Sequence, residues 1–132
     1  MNALEDAIYD ALAASAAVTA LVSTRIYRSA APQGATYPYI VIQLQAGGED
    51  NETPTDAISL VYQIRCESSV SAAQAGSVDE AIRTALHEVL LTVTGWTNYW
   101  SARGEMIRTA ILSDDGTRKW LAGAFYRFRI AQ

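Results

Sequence analysis

The chain has very little of what enzymes and metal sites commonly need. Among its 132 residues there is one cysteine, Cys66, and one histidine, His87. A lone cysteine excludes an intramolecular disulfide and a cysteine metal cluster, and a lone histidine excludes the His-x-x-x-His pair of helical zinc sites. We therefore expect Cys66 to be a small core residue and His87 to lie at the surface or boundary of a helix.

Signatures of covalent catalysis and of phosphate binding are missing as well. There is no Gly-x-Ser-x-Gly motif, and Cys66 and His87 would meet only through the tertiary fold. Gly47 and Gly48 lead into a run of carboxylates, which would repel a phosphate group rather than hold it. The sequence therefore predicts neither an enzyme nor a bound cofactor.

Basic side chains and long apolar runs are scarce too. Ten Lys and Arg stand against fourteen Asp and Glu, for a net charge of −4, whereas nucleic-acid-binding domains are usually basic. No apolar run approaches the ~20 residues that cross a bilayer, and the acidic residues 1–6 do not resemble a signal peptide. Half of the residues are hydrophobic, which favours a single soluble globular domain over residues 1–132, made in the cytoplasm.

The charges are distributed unevenly along the chain. Residues 1–102 carry four basic and eleven acidic side chains, whereas residues 103–132 carry six basic and three acidic ones. Two interpretations remain open: charges scattered along solvated strands, or a subunit with one acidic and one basic flank, suited to head-to-tail association. Under the second interpretation, Arg103, Arg127 and Arg129 are candidate subunit-interface residues, since arginine forms forked pairs with carboxylates.

Apolar periodicity predicts two main helices. Apolar residues recur at helical spacing over 4–12, and a further helical turn follows at 18–22 after a break near Ser15. A second apolar stripe predicts a helix over roughly 71–91.

Between and after these helices the chain has the patterns of strands. A short strand is predicted at 25–28, a buried strand at 39–45 and an alternating strand at 58–66. Two strands at 96–102 and 106–112 are expected to flank a turn at Arg103-Gly104. A hairpin at Asp114-Asp115-Gly116 then leads into a last strand at 119–130. The order helix, strands, helix, strands predicts an α+β fold, with two main helices on one side of an antiparallel sheet.

An acidic loop is predicted between the two long strands, over residues 47–56. Its carboxylates, Glu49, Asp50, Glu52 and Asp56, are the kind of oxygen donors that calcium prefers, but they lack the register of an EF-hand. A solvated or partner-facing loop is favoured over a calcium site, because glycine, proline and charge without an apolar anchor are typical of exposed loops.

Three aromatic residues lie close together in sequence, at Trp96, Tyr99 and Trp100. Stacking on nucleic-acid bases is one use of such a cluster. Only Arg103 lies nearby to contact a phosphate, so packing in the core or in a subunit interface is favoured.

Several short motifs, taken in order, resemble a known family. An alanine-rich first helix precedes an Arg-Ile-Tyr segment, a Pro-Gln-Gly turn and a Pro-Tyr strand, and the segments 81–86 and 126–130 continue the pattern. The motif residues are Arg25, Ile26, Tyr27, Pro32, Gln33, Gly34, Pro38 and Tyr39. This arrangement resembles the tail-completion, or tail-terminator, proteins of long-tailed bacteriophages and phage-derived particles.

The resemblance implies a structural role in a virion, without catalysis or cofactors. In that family six copies form a ring on the last ring of the tail tube, which ends tube polymerisation and offers a docking surface for the neck. The implied partners are further copies of the chain, the tail tube protein, a head–tail connector or neck protein, and genomic DNA that passes through the lumen without specific binding. No membrane is implied. The implied location is the neck end of the virion tail, after assembly in the host cytoplasm.

Within this framework the acidic loop, with Glu49, Asp50, Glu52 and Asp56, is expected to line the channel or to reach the tube below. The alternatives are another neck component, such as a head-completion or adaptor protein, a small ligand-binding or enzymatic α+β domain, and a generic dimerisation module.

Overall fold

The described part of the chain contains three helices and a six-stranded sheet, and the predicted α+β class is confirmed. The computed structural model describes residues 2–49, 56–112 and 116–132. In chain order the elements are α1 (Asn2–Ala14), α2 (Ala16–Val22), β1 (Ile26–Arg28), β2 (Tyr39–Glu49), β3 (Ala57–Ser68), α3 (Ala72–Leu86), β4 (Thr92–Val93), β5 (Trp96–Leu112) and β6 (Arg118–Ala131). No helix among the described residues is both long and apolar enough to cross a membrane.

A serine side chain caps the N-terminus of α2 and of α3. The hydroxyl of Ser15 accepts a hydrogen bond from the Val18 N–H at 3.4 Å, and that of Ser71 accepts one from the Gln74 N–H at 3.1 Å, which satisfies amides that the first helical turn leaves free. The break near Ser15 is thus confirmed, and the predicted extra turn is the helix α2. The last helix is shorter than predicted, because the backbone of His87 is already extended.

The strands lie in the order β1-β2-β3-β6-β5-β4. All neighbours are antiparallel except β1 and β2, which run parallel with Ile26 opposite Ile40. The expectation of a purely antiparallel sheet is therefore wrong at this edge. The chain leaves β1 through the loop 29–38, which contains Gly34 at φ +80, and returns to the same end of the sheet before β2 begins.

One face of the sheet is covered by the helices and forms the core. The inward residues of β3 and β6 alternate as predicted, and Tyr62, Ile64, Phe128 and Ile130 have no exposed surface. Cys66 lies among them, fully buried, as expected. Burial raises the pKa of its thiol to about 12, so the unreactive protonated form is favoured at neutral pH.

The predicted turn at Arg103-Gly104 is wrong, because β5 runs through it as one strand. The pairing of β5 with β6 skips between Arg103 and Met106, so the extra residues form a bulge that bends the strand without reversing it. Beyond the bulge, β5 continues to pair with β6 as far as Leu112 opposite Arg118. Only Ile111 and Leu112 lie opposite β6 residues that do not also pair with β3. Of the predicted hairpin residues, Asp114 and Asp115 lie outside the described part of the chain.

Candidate interaction surfaces

The sheet side turned away from the helices, called the outer face below, carries two of the three candidate arginines. Arg127 and Arg129 alternate outward on β6, since Tyr126, Phe128 and Ile130 between and beside them are buried in the core. Arg127 is exposed, and its Nη1 donates a hydrogen bond to Ser59 Oγ at 2.8 Å.

Arg129 is held against an aromatic ring. Its guanidinium carbon lies 4.8 Å from the centre of the Trp100 ring, a cation–π contact that orients both side chains. Trp100 and Tyr99 remain 40% and 46% exposed, whereas Trp96 packs against the core. The aromatic cluster is thus divided between the core and the surface.

Two neighbouring grooves on the outer face share Val61 and Arg127. The first, of about 330 Å³, has an apolar floor that includes Phe125 and Trp100. The second, of about 380 Å³, extends past Arg129 to Glu49. Exposed apolar and aromatic surface beside arginine is typical of protein–protein contacts, where these residue types are enriched.

The acidic loop leaves and re-enters the sheet beside the second groove. Glu49 is the last residue of β2, and Asp56 directly precedes β3; both are exposed. The carbonyl of Asp56 accepts a hydrogen bond from the N–H of Gln132 at 3.0 Å, which ties this end of β3 to the chain terminus. Asp50 and Glu52 lie outside the described residues.

Arg103 lies on the helix side of the sheet, which differs from its expected place at a subunit rim. Its Nη2 donates to Asp79 Oδ2 on α3 at 2.6 Å, and the two side chains are only 9% and 4% exposed. Burial by itself lowers the pKa of Arg103, but the hydrogen bond and the charge of Asp79 outweigh burial and leave that pKa raised. The backbone N–H of Arg103 also donates to His87 Nδ1 at 3.1 Å, so His87 helps to hold β5 on α3.

The family-motif residues form a scaffold around the start of β2. Arg25 Nε donates to the Pro38 carbonyl at 2.9 Å, Ile26 is buried in the core, and the Tyr27 ring meets the Tyr39 ring edge-on with centroids 5.7 Å apart. The turn between them has Pro32, Gln33 and Gly34 exposed, and the Pro32 carbonyl accepts a hydrogen bond from the Ala35 N–H at 3.1 Å.

Arg103, Asp79 and His87 hold elements of the fold together through hydrogen bonds. The pairing of Arg103 with Asp79 was missed by sequence reasoning, because the partners are 24 residues apart on different elements. No group of three or more His, Cys, Asp or Glu side chains that could hold a metal ion occurs in the described ranges. What the described geometry offers for function is an outer face and sheet edges available to other proteins.

Comparison with known proteins agrees with the motif order. The family described as "Tail completion protein gp17" matches residues 6–123. The fold is similar to that of a chain in the structure titled "Virion of native gene transfer agent (GTA) particle", with a TM-score of 0.77 and 20% sequence identity over 99% of this chain and 96% of that one. A search of curated proteins found no match. Because the family match spans most of the sequence, the chain belongs to the tail-completion family and is a structural protein of a phage-type tail.

Proposed function

We propose that six copies of this chain form a ring that caps the tail tube, ends tube polymerisation and offers a docking surface to the neck. The observation that carries the proposal is the family match over residues 6–123. The fold is compatible with this function, because a closed ring needs two unlike lateral surfaces on each copy. The two edges of the sheet are unlike, since β1 covers part of one and β4 covers part of the other.

A particle that lacks the chain tests this function directly. We expect tails of uncontrolled and increased length without attached heads, because no ring stops tube growth, and we expect normal length when the chain is supplied. The measurement is tail length by electron microscopy. The purified protein, alone or with tail tubes, is expected to form a particle of six times the 14.3 kDa chain mass.

Two outcomes would contradict the cap. Tails of normal length that fail to join heads would instead favour a head-completion or adaptor protein. A stable dimer, on tubes as well as in solution, would favour a dimerisation module.

Arg127 and Arg129 are proposed to face acidic side chains of a neighbouring protein in the particle. The proposal is supported by the position of both arginines on the exposed outer face, where they line grooves that also contain apolar residues such as Val61 and Phe125. Arg103 is not part of this proposal, because its charge is paired inside the subunit.

The acidic loop is proposed to line the DNA channel or to contact the tube. A lumen with negative charge reduces binding of DNA phosphates, which would otherwise attract basic side chains strongly. We expect the combined variant Glu49→Gln, Asp50→Asn and Glu52→Gln to slow DNA passage in the first case and to impair capping in the second. Ejection kinetics and tail length measure the two effects separately.

A matched control removes the same number of charges elsewhere. Asp10, Glu80 and Glu88 are exposed on or beside helices, and we expect their neutralisation to leave both measurements unchanged. If particles with the neutralised loop also cap and eject normally, the loop has neither role.

A further inference from the structure

Two stretches of the sheet edge have no neighbouring strand among the described residues. On one side, β4 pairs with β5 only opposite Trp96 and Thr97, so no described strand lies beside residues 104–112 of β5. On the other side, β1 pairs with β2 only opposite residues 40–42, so no described strand lies beside residues 43–48 of β2. These stretches are called the β5 edge and the β2 edge.

Lysine and proline, which protect many natural edge strands, are absent from residues 43–48 and from residues 104–112. Each edge has one bulge, between Leu44 and Ala46 in β2 and between Arg103 and Met106 in β5, and the charged residues are limited to Glu105 and Arg108 of the β5 edge. Both edges expose large apolar side chains instead: Leu44 is 44% exposed, Met106 is 69% exposed and Leu112 is 66% exposed. Unpaired backbone groups flanked by apolar side chains favour the addition of a further strand.

The directions of the two edges are complementary. β2 is antiparallel to β3, β3 to β6, and β6 to β5, so β2 and β5 run in opposite directions within the sheet. When the β5 edge of one copy meets the β2 edge of the next in a continuous sheet, the new pair is therefore antiparallel, like almost every other pair in the fold.

We propose that neighbouring copies of this chain associate by pairing the β5 edge of one copy with the β2 edge of the next. This inference rests on the proposed ring and specifies its subunit contact. The contact joins two unlike surfaces, so it repeats from copy to copy and can close into a ring.

The proposed ring requires pairing of unlike edges. Two β5 edges would pair about a two-fold axis and close into a dimer, whereas a β5 edge on a β2 edge leaves one edge of each kind for the next copy. Charge does not separate the two pairings, because residues 104–119 carry three basic and three acidic side chains and residues 43–48 carry none.

Two lysine substitutions test the contact, because lysine on an edge opposes strand addition. Leu44→Lys blocks the β2 edge, and Met106→Lys blocks the β5 edge. Both side chains are exposed, so each variant is expected to keep the native fold by circular dichroism and thermal unfolding. Val70→Lys is the control, since Val70 is 66% exposed but lies outside the strands.

The expected result is that each edge variant alone associates at least about tenfold more weakly than wild type, while Val70→Lys forms rings. A mixture of the two edge variants is expected to form a one-to-one dimer and no ring. The Leu44→Lys copy still has a working β5 edge, the Met106→Lys copy still has a working β2 edge, and only one contact between them is possible. Analytical ultracentrifugation and native mass spectrometry, in solution and with tail tubes, measure these species.

Three results would overturn the inference in distinguishable ways. Rings formed by the two edge variants would show that other surfaces hold the ring, and would leave the proposed function intact. Dimers of Leu44→Lys alone would indicate pairing of two β5 edges. A wild-type chain that forms no ring in solution or on tubes would contradict the proposed function itself.

Discussion

Replacing Asp79 with alanine is expected to destabilise the domain by about 3–5 kcal/mol, the range for removal of one partner from a buried ion pair. The Arg103 guanidinium would then stay buried between α3 and β5 without its counter-charge. Within the described residues, Asp79 Oδ1 and Arg103 Nε have no hydrogen-bond partner, so neither atom forms a hydrogen bond that could replace the stabilisation that the ion pair provides. Urea unfolding followed by tryptophan fluorescence measures the loss.

The exposed ion pair between Arg28 and Asp6 provides a matched control. Those side chains are 39% and 58% exposed, so solvent screens them, and Asp6→Ala is expected to cost at most about 1 kcal/mol. The double variant Asp79→Leu with Arg103→Met is expected to recover most of the stability, because it leaves no unpaired buried charge. Equal losses from Asp79→Ala and Asp6→Ala would contradict a structural role for the buried pair.

Gly123→Ala is expected to be the second strongly destabilising change, by about 3 kcal/mol, at the upper end of the usual cost of overpacking. Gly123 lies in β6 between Arg65 of β3 and Ile107 of β5. A Cβ atom there would lie 2.5 Å from the Ile64 carbonyl oxygen and 2.7 Å from the Arg65 Cα. These are backbone atoms of the central strand β3, so the steric clash can be removed only if β6 moves away from β3.

Gly48→Ala makes the same chemical change in another strand of the sheet. A Cβ at Gly48 would have no atom within 4 Å, and we expect a change in unfolding free energy within about 0.5 kcal/mol, as for most surface substitutions. The comparison therefore isolates steric crowding from the loss of glycine flexibility. If both variants unfold at the same urea concentration, close strand packing at Gly123 does not limit stability.

Features that depend on neighbours in sequence were predictable. The alternation of apolar residues in β3 and β6 identified their buried faces, and the break at Ser15 followed from local helix signals. The motif order from Arg25 to Tyr39 indicated the family. These features require only knowledge of which residues stand two to four positions apart.

Features that depend on distant segments were not predictable in the same way. The segment Arg103-Gly104 has the composition of a turn, and only pairing with β6 on both sides of the bulge at residues 104–105 keeps β5 extended there. In sequence, Arg103 is indistinguishable from a surface arginine. Only the packing of α3 against the sheet brings Asp79 close enough to pair with its charge. Among the candidate site residues, Arg127 and Arg129 were expected to be available to partners, and the structure places both on the outer face.

The sequence by itself determined the class of fold, the buried faces of the main strands and the family to which the chain belongs. Only the tertiary structure decided the strand order, the parallel pairing of β1 and the two sheet edges that lack a described neighbour. The physical reason is that periodicity records which side of an element is apolar, whereas the partner of each edge depends on hydrogen bonds between segments far apart in the chain.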